Sequence, residues 1–267
     1  MVAAQKGVTA RLAEYAVGLR YEQLPYEVVE RIKQLFLDFL GVAFGASNSG
    51  VDSTNIFHNG VQELVMGQSG ECTVVGEPGT YPAHFASLLN GAYAHSMDFD
   101  DTHREAIMHP GAPVFPTLLA LGEENAVSGR EFLSSAVVGY DVGCKIGKAH
   151  GAGIHSRGFH PTATTGIFGA TAAGARILGL APEILLNAFG INGSLAAGSQ
   201  RFIETGAWNK RLHVGLASHN AIYALTFARH GVIGATERRA TMATFKAILT
   251  HRVTLRRWYL VWGKTLK

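Results

Sequence analysis

The chain has 267 residues, of which 47% are hydrophobic and 16% charged, with a formal net charge of +3. This length suggests one large domain or two small ones, with room for a buried core. The positive charge is local, because residues 238–267 carry eight Lys or Arg and no Asp or Glu. Residues 1–237 carry fifteen basic and twenty acidic side chains, a net charge of −5. That balance argues against a main body that binds nucleic acid or anionic membranes.

Cysteine usage and the lack of long apolar runs bear on where in the cell the protein is expected. Cys72 and Cys144 match no zinc-ligand spacing, and two cysteines form no disulfide framework, which fits a reducing setting. The amino terminus lacks the charged-then-apolar order of a signal peptide. No uncharged apolar run reaches the roughly 18–20 residues that a membrane-spanning helix needs. We therefore expect a soluble, cytoplasmic protein.

Apolar residues recur at spacings of three and four along most of the chain, which predicts a mainly α fold. In chain order the predicted helices cover residues 8–19, 28–45, 53–67, 84–97, 114–129, 130–151, 162–180, 180–199 and 215–231. The helix over 162–180 is rich in Gly and Ala, which lets neighbouring backbones approach closely and favours a buried central position. Residues 71–79, ECTVVGEPG, are the one convincing strand candidate before residue 200. Gly231 is expected to cap the last helix.

The densest group of titratable side chains lies in residues 94–116, between two predicted helices. This segment holds three aspartates and three histidines: Asp98, Asp100, Asp101, His95, His103 and His109. Such side chains are costly to pack into an apolar background unless they are paired or used. The proline that follows His109 fixes the backbone of the turn. This polar turn is therefore the first candidate for an active site.

Two further polar turns lie at predicted helix starts. His160 lies one residue before the helix-starting Pro161, where helix N–H groups supply positive potential. Lys210, Arg211 and His213 lie just before the last predicted helix. Cationic and titratable groups at helix starts suit a small polycarboxylate ligand, provided that the three turns converge.

Three sequence blocks stand in a fixed order along the chain. They are GAYAHSMDFDDTH with the following HPGAPVFP, then GFHPTATTGIFGATAAGARILGL, then WNKRLHVGLASHNA. From about Val8 to about Glu237 the chain resembles the MmgE/PrpD family, which includes 2-methylcitrate dehydratase, cis-aconitate decarboxylase and iminodisuccinate epimerase-like enzymes. The resemblance implies a large helical domain with a smaller α/β lid domain. It also implies a homodimer that works without a cofactor or a metal ion.

The resemblance implies five site residues. Asp98 and Thr102 match active-site positions in HSMDFDDT, and His109 and His160 match catalytic histidines. Lys210, in NKRLH, matches an active-site lysine, to which we assign substrate binding. The implied chemistry is that of a lyase on a small di- or tricarboxylate, with a histidine moving a proton next to a carboxylate. A dehydratase, a decarboxylase and an epimerase of this family are not distinguished by these residues.

The composition changes abruptly after residue 237. We predict a helical domain over residues 1–237 and a basic tail over residues 238–267 that no longer resembles the family. This change predicts that the lid domain is missing, through truncation or a frameshift. A lid excludes water and completes the site, so we expect a chain without one to be at best weakly active.

Two other interpretations compete with that of an enzyme. A catalytically inactive helical domain would only bind a partner or a ligand, and a nucleic-acid binder has only the basic tail in its favour. A metal site formed by His95, Asp98, Asp101 and His103 is conceivable, but the sequence lacks a known ligand spacing such as HExxH. We therefore predict a small carboxylate substrate, with no nucleic acid, no membrane and no metal.

Overall fold

The computed structural model describes residues 7–236, which form ten α-helices and one small hairpin. The first elements are α1 (Val8–Gly18), α2 (Tyr26–Asn48), α3 (Asp52–Val65), β1 (Cys72–Thr73) and β2 (Thr80–Tyr81). The middle elements are α4 (Ala83–Ala94), α5 (Gly111–Glu124), α6 (Gly129–His150) and α7 (Pro161–Ile177). The last are α8 (Pro182–Leu195), α9 (Phe202–Thr205) and α10 (Asn209–Arg229). Short 3-10 helices lie at Tyr21–Gln23, Gly151–Gly153 and His155–Arg157.

Strands β1 and β2 form the one sheet in the described part of the chain. They pair antiparallel, with Cys72 opposite Tyr81. The strand predicted over residues 71–79 is therefore only two residues long, because Gly76 and Gly79 take left-handed φ angles of +83° and +81° that turn the backbone. No second α/β domain is present among the described residues. The mainly α fold class predicted from the sequence is confirmed.

Helix α7 occupies the centre of the bundle. Every residue of α7 except Arg176 is buried, and α5, α6 and α10 pack around it. Gly169 faces α6, where an added Cβ would stand 2.6 Å from the carbonyl oxygen of Gly139 and 3.1 Å from the Cα of Gly143. Two helix backbones can approach this closely only where side chains are missing. The prediction of a buried, Gly- and Ala-rich central helix is confirmed.

This close contact makes α7 sensitive to added volume. We expect Gly169→Val to lower the free energy of unfolding by about 3 kcal/mol, because the valine meets backbone atoms of α6 that cannot move aside. The matched control is Gly60→Ala on the exposed face of α3, where nothing lies within 4 Å of an added Cβ. There we expect a gain of up to about 1 kcal/mol from helix propensity. Urea unfolding followed by circular dichroism measures both free energies of unfolding. Equal stabilities of the two variants would contradict the close contact between α6 and α7.

Several predicted helix boundaries are wrong, and those of α10 and α4 bear on the polar turns. Helix α10 begins at Asn209, so Lys210, Arg211 and His213 lie in its first turns rather than in the turn before it. The reason is that Gly206, at φ +66°, already ends α9, and no further helix breaker follows. Helix α4 ends at Ala94 rather than at residue 97, and its last carbonyls are met by the N–H groups of the following turn.

No helix between residues 7 and 236 is long and apolar enough to cross a bilayer. The predicted basic tail over residues 238–267 lies outside the described residues.

Candidate active site

His95 lies at the carboxyl end of α4 and is almost completely buried, with 1% of its surface exposed. Its Nδ1 lies 2.8 Å from Oδ2 of Asp100. A carboxylate only accepts hydrogen bonds, so Nδ1 of His95 carries the proton and donates it. Burial lowers the pKa of the His95 imidazole below its usual value, although Asp100 acts in the opposite direction. The ring is therefore neutral, and its Nε2 has no hydrogen-bond partner.

Asp100 lies between two imidazoles. Its Oδ2 accepts from His95, and its Oδ1 lies 3.3 Å from Nδ1 of His109. Burial opposes the ionisation of Asp100, but the contacts to His109 and His95 outweigh it and hold the pKa of the carboxyl well below its usual value. Asp100 is therefore a buried anion that organises both rings.

His109 sits just before α5 and is held by backbone and side chain alike. Its N–H donates to Oγ1 of Thr162 at 3.2 Å, which fixes the residue to the first turn of α7. Its Nδ1 lies 3.2 Å from the carbonyl oxygen of Asp100 and 3.3 Å from the carboxylate of that residue. Both neighbours are acceptors, so Nδ1 bears a proton and Nε2 is the nitrogen left for chemistry. Burial lowers the pKa of His109, but Asp100 outweighs this and raises it above the usual histidine value.

Asp98 and Lys210 meet across the site although 112 positions separate them in the sequence. Nζ of Lys210, in the first turn of α10, lies 2.5 Å from Oδ1 of Asp98. Asp98 takes a left-handed backbone conformation with φ +59°, which turns the chain after α4 and aims the carboxylate at the lysine. Burial opposes ionisation of Asp98, but Lys210 outweighs it and lowers the pKa of the carboxyl.

His160 and His213 extend the cluster of rings. His160 precedes α7, and its ring stacks on that of His95 with the centroids 5.4 Å apart and the planes at 23°. The ring of His213, in the second turn of α10, lies 5.8 Å from that of His160. Burial, reinforced by the neighbouring cationic and imidazole groups, lowers the pKa of His160 to about 2. Its Nδ1 is buried without a hydrogen-bond partner. His160 is therefore a neutral ring.

Four of the five predicted site residues converge in this cluster. The polar turn supplies Asp98 and His109, the start of α7 supplies His160, and the start of α10 supplies Lys210. These three segments lie together, which is the condition for a shared site. Thr102 does not join them. Its exposed side chain lines a different cavity, of about 470 Å³, and its hydroxyl lies 3.5 Å from the carbonyl oxygen of Asp100.

Asp101 and His103 also face this second cavity, together with Tyr140 of α6. Oδ1 of Asp101 accepts from the N–H of Gly111 at 3.0 Å. Burial raises the pKa of the Asp101 carboxyl to about 6, with a contribution from the negative charge of Asp100. Neighbouring aspartates thus have opposite shifts in pKa, because the two imidazoles outweigh burial at Asp100, whereas the hydrogen bonds from Tyr140 and Gly111 do not offset burial at Asp101.

Asp101 and His103 therefore lie apart from the donors that could hold a metal ion. Among the described residues, those donors belong to His95, Asp98, Asp100 and His109, whose ligand atoms lie within 4.8 Å of one another. In the structure, however, His95 donates to Asp100, Nδ1 of His109 lies 3.3 Å from the same carboxylate, and the ammonium of Lys210 contacts Asp98. A cation would have to replace an existing ion pair, so this arrangement suits an anionic ligand better than a metal ion.

Comparison with known proteins identifies this architecture. Residues 10–256 match the family model described as the MmgE/PrpD N-terminal domain, a match that extends past the boundary predicted at residue 237. The chain belongs to the MmgE/PrpD family. All the residues of the candidate site lie within the matched region.

Curated relatives of this MmgE/PrpD chain include decarboxylases. Human cis-aconitate decarboxylase is 33% identical over 236 residues, which cover 86% of this chain and 47% of the human protein. A cis-aconitate decarboxylase-like protein of Aspergillus oryzae is 32% identical over 235 residues, 85% of this chain and 48% of that protein. The cis-aconitate decarboxylase of Aspergillus terreus is 31% identical over 230 residues, 82% and 45% of the two chains. The chain spans about half the length of the curated relatives it matches.

His95 and Asp100 are the members of this MmgE/PrpD site that sequence reasoning undervalued. Neither residue is among the five site residues that the sequence implies, whereas the structure places both at the centre of the cluster. The signal was the apolar setting: His95 directly follows α4, in which every residue from Ala86 to Ala94 is buried. A polar residue in that setting must find a buried partner.

Proposed function

We propose that this chain is a lyase of small carboxylates that decarboxylates cis-aconitate. The observation that carries the proposal is the opposite tuning of two histidines in one cluster: His109 beside an anion and His160 in an apolar, cation-flanked position. Environments that separate the pKa values of neighbouring groups are typical of acid–base sites. Among the reactions open to the family, the names of the relatives favour decarboxylation. Dehydration and epimerisation are the alternatives.

Decarboxylation of a carboxylate consumes one proton. The bond between the substrate carbon and its carboxylate breaks, CO2 leaves, and the electron pair stays on carbon, where it takes up a proton. His109 is the proposed donor, because its raised pKa favours the imidazolium form, in which Nε2 carries a proton while Nδ1 stays bonded to Asp100. The neutral imidazole of His160 lines the site close to that proton without adding charge.

Lys210 is the proposed carboxylate ligand. It lies in the first turn of the 21-residue helix α10, so the helix dipole adds to its positive charge. Asp98 holds the ammonium in place, and a substrate carboxylate bound there would share it with Asp98. The roles that the resemblance implies for Asp98 and Thr102, the homodimer and the cytoplasmic location stay predictions.

The direct test is CO2 release from cis-aconitate by the purified 267-residue chain, with 2-methylcitrate and iminodisuccinate as competing substrates. Release of CO2 supports the proposal, and turnover of another substrate shifts it to dehydration or epimerisation. Binding of all three without turnover would favour the inactive binding domain. The same assay on a chain extended through a lid domain tests the predicted weak activity, which equal turnover would contradict.

Lys210→Ala is expected to weaken the binding of cis-aconitate at least about tenfold, because a charge-assisted bond at a partly buried site contributes about 1.5–3 kcal/mol. Isothermal titration calorimetry measures the dissociation constant. Lys33→Ala, on the exposed surface of α2, is the matched control and should leave it unchanged. Equal affinities of the Lys210→Ala variant and the unmodified chain would remove Lys210 from the site.

A further inference from the structure

The carboxylate of Asp100 holds two imidazoles at once. His95 donates to one oxygen from Nδ1, and His109 presents its Nδ1 to the other oxygen and to the carbonyl of the same residue. Only 3% of the Asp100 side chain and none of the His95 side chain is exposed. A buried carboxylate has few ways to reorient when every neighbour is packed, so the geometry of this pair is fixed before any ligand arrives.

We propose that Asp100, anchored by His95, is the positioning residue that fixes the tautomer and the orientation of His109 in the proposed reaction. The inference rests on the proposed function and adds two residues to which neither the family resemblance nor the comparisons give a role.

An imidazole without such a partner has two tautomers and rotates about its side-chain bonds. Asp100 removes this freedom, because both acceptors facing Nδ1 of His109 belong to it. The Nε2 of His109 is then the nitrogen that can reach a substrate, and any proton it carries is delivered from a fixed point. Asp98, Asp101, His95 and His160 are the other titratable groups that interact with this ring.

The role of His95 in this inference is to hold Asp100, and it makes no contact with the substrate. Its Nδ1–H is committed to Oδ2, and its Nε2 lies in the interior without a hydrogen-bond partner. The Nδ1–H form is the less common tautomer of a free histidine, so a structural role without Asp100 would not select it. The ring of His95 also stacks on that of His160, which restricts its orientation.

The test is nuclear magnetic resonance of the full chain labelled with ¹⁵N at its 12 histidines, with His95 and His109 assigned from His95→Asn and His109→Gln. We expect His95 to show the neutral Nδ1–H form throughout the titration. We expect the pKa of His109 to fall in Asp100→Asn, because the carboxylate that raises it is gone while burial, which lowers it, remains. In the activity assay, Asp100→Asn should lower kcat at least about tenfold with little change in KM.

His95→Phe and His95→Asn separate positioning from packing. The asparagine amide can replace the Nδ1–H donor, so we expect it to retain the hydrogen-bonded Nδ1 proton signal of His109 and most of kcat, whereas phenylalanine loses both. His150→Asn, at a buried histidine in the last turn of α6, is the control and should leave the His109 titration unchanged.

Three results would overturn the inference: an Nε2–H tautomer for His95, an unchanged His109 titration in Asp100→Asn, or equal behaviour of the two His95 variants. The nuclear magnetic resonance spectra can be recorded whether or not the chain turns over a substrate. An inactive chain with the expected spectra would therefore reject the proposed reaction while the Asp100 geometry stands.

Discussion

Replacing His109 with glutamine is expected to slow the release of CO2 from cis-aconitate by about 10²–10⁴-fold, the range that general acid catalysis contributes. Glutamine keeps a hydrogen-bonding side chain of similar length but has no proton to give at neutral pH. Because Lys210 stays in place, the affinity for substrate should change little. A fall in kcat with a constant KM is the sign of an interaction that matters only in the transition state.

The matched control for this variant is His103→Gln. His103 belongs to the same polar turn, but its side chain lines the second cavity and its Nδ1 accepts from the N–H of Ala106 at 3.1 Å. We expect its kcat to stay close to that of the unmodified chain. Similar losses in the two variants would mean that the turn matters only for folding, and that His109 donates no proton.

The pH dependence of the same reaction follows from the sign of the His109 shift. A general acid must be protonated, so turnover should be constant below the pKa of His109 and fall as the pH rises through it. Because Asp100 raises that pKa, the fall should begin above the usual histidine value. A rate that instead increases with pH through this region would identify His109 as a base.

The helical fold was accessible from the sequence because its signal is local. Apolar spacing of three and four residues runs through α1, α2, α6 and α8, and the structure has helices at each of these positions. The central position of α7 was also predictable, since a helix built of Gly, Ala and Thr with no charge before Arg176 has no solvated face. Helix ends were less accessible, because α10 begins at Asn209 without a side-chain cap to mark it.

Most members of the candidate site were predictable from the sequence, but the contacts between them were not. Motif blocks point to Asp98, His109, His160 and Lys210, and the structure gathers these four residues. Which aspartate would be buried between imidazoles depends on the turn after α4, where a left-handed residue directs each following side chain. That turn is set by packing against α7 and α10, and such long-range contacts leave no periodic pattern in the sequence.

The second large effect concerns acid stability and comes from a histidine outside the site. Burial lowers the pKa of His150, at the end of α6, to about 4. The unfolded chain, with a histidine pKa of about 6.5, then binds more protons than the folded one between these values. Stability from this group is therefore complete above pH 6.5 and is lost as the pH falls toward 4. Between pH 7 and pH 5 the loss is about 2 kcal/mol.

Comparison with His150→Leu isolates this contribution. Other groups titrate in the same range, and the raised pKa values of Asp101 and His109 give stability as the pH falls, but they are common to both proteins. The difference in free energy of unfolding should therefore shift by about 2 kcal/mol in favour of the leucine variant from pH 7 to pH 5. Urea unfolding at the two pH values measures it, with His155→Leu at an exposed position as the control. Parallel pH profiles for His150→Leu and the unmodified chain would mean that His150 reaches solvent or a proton acceptor in the folded protein.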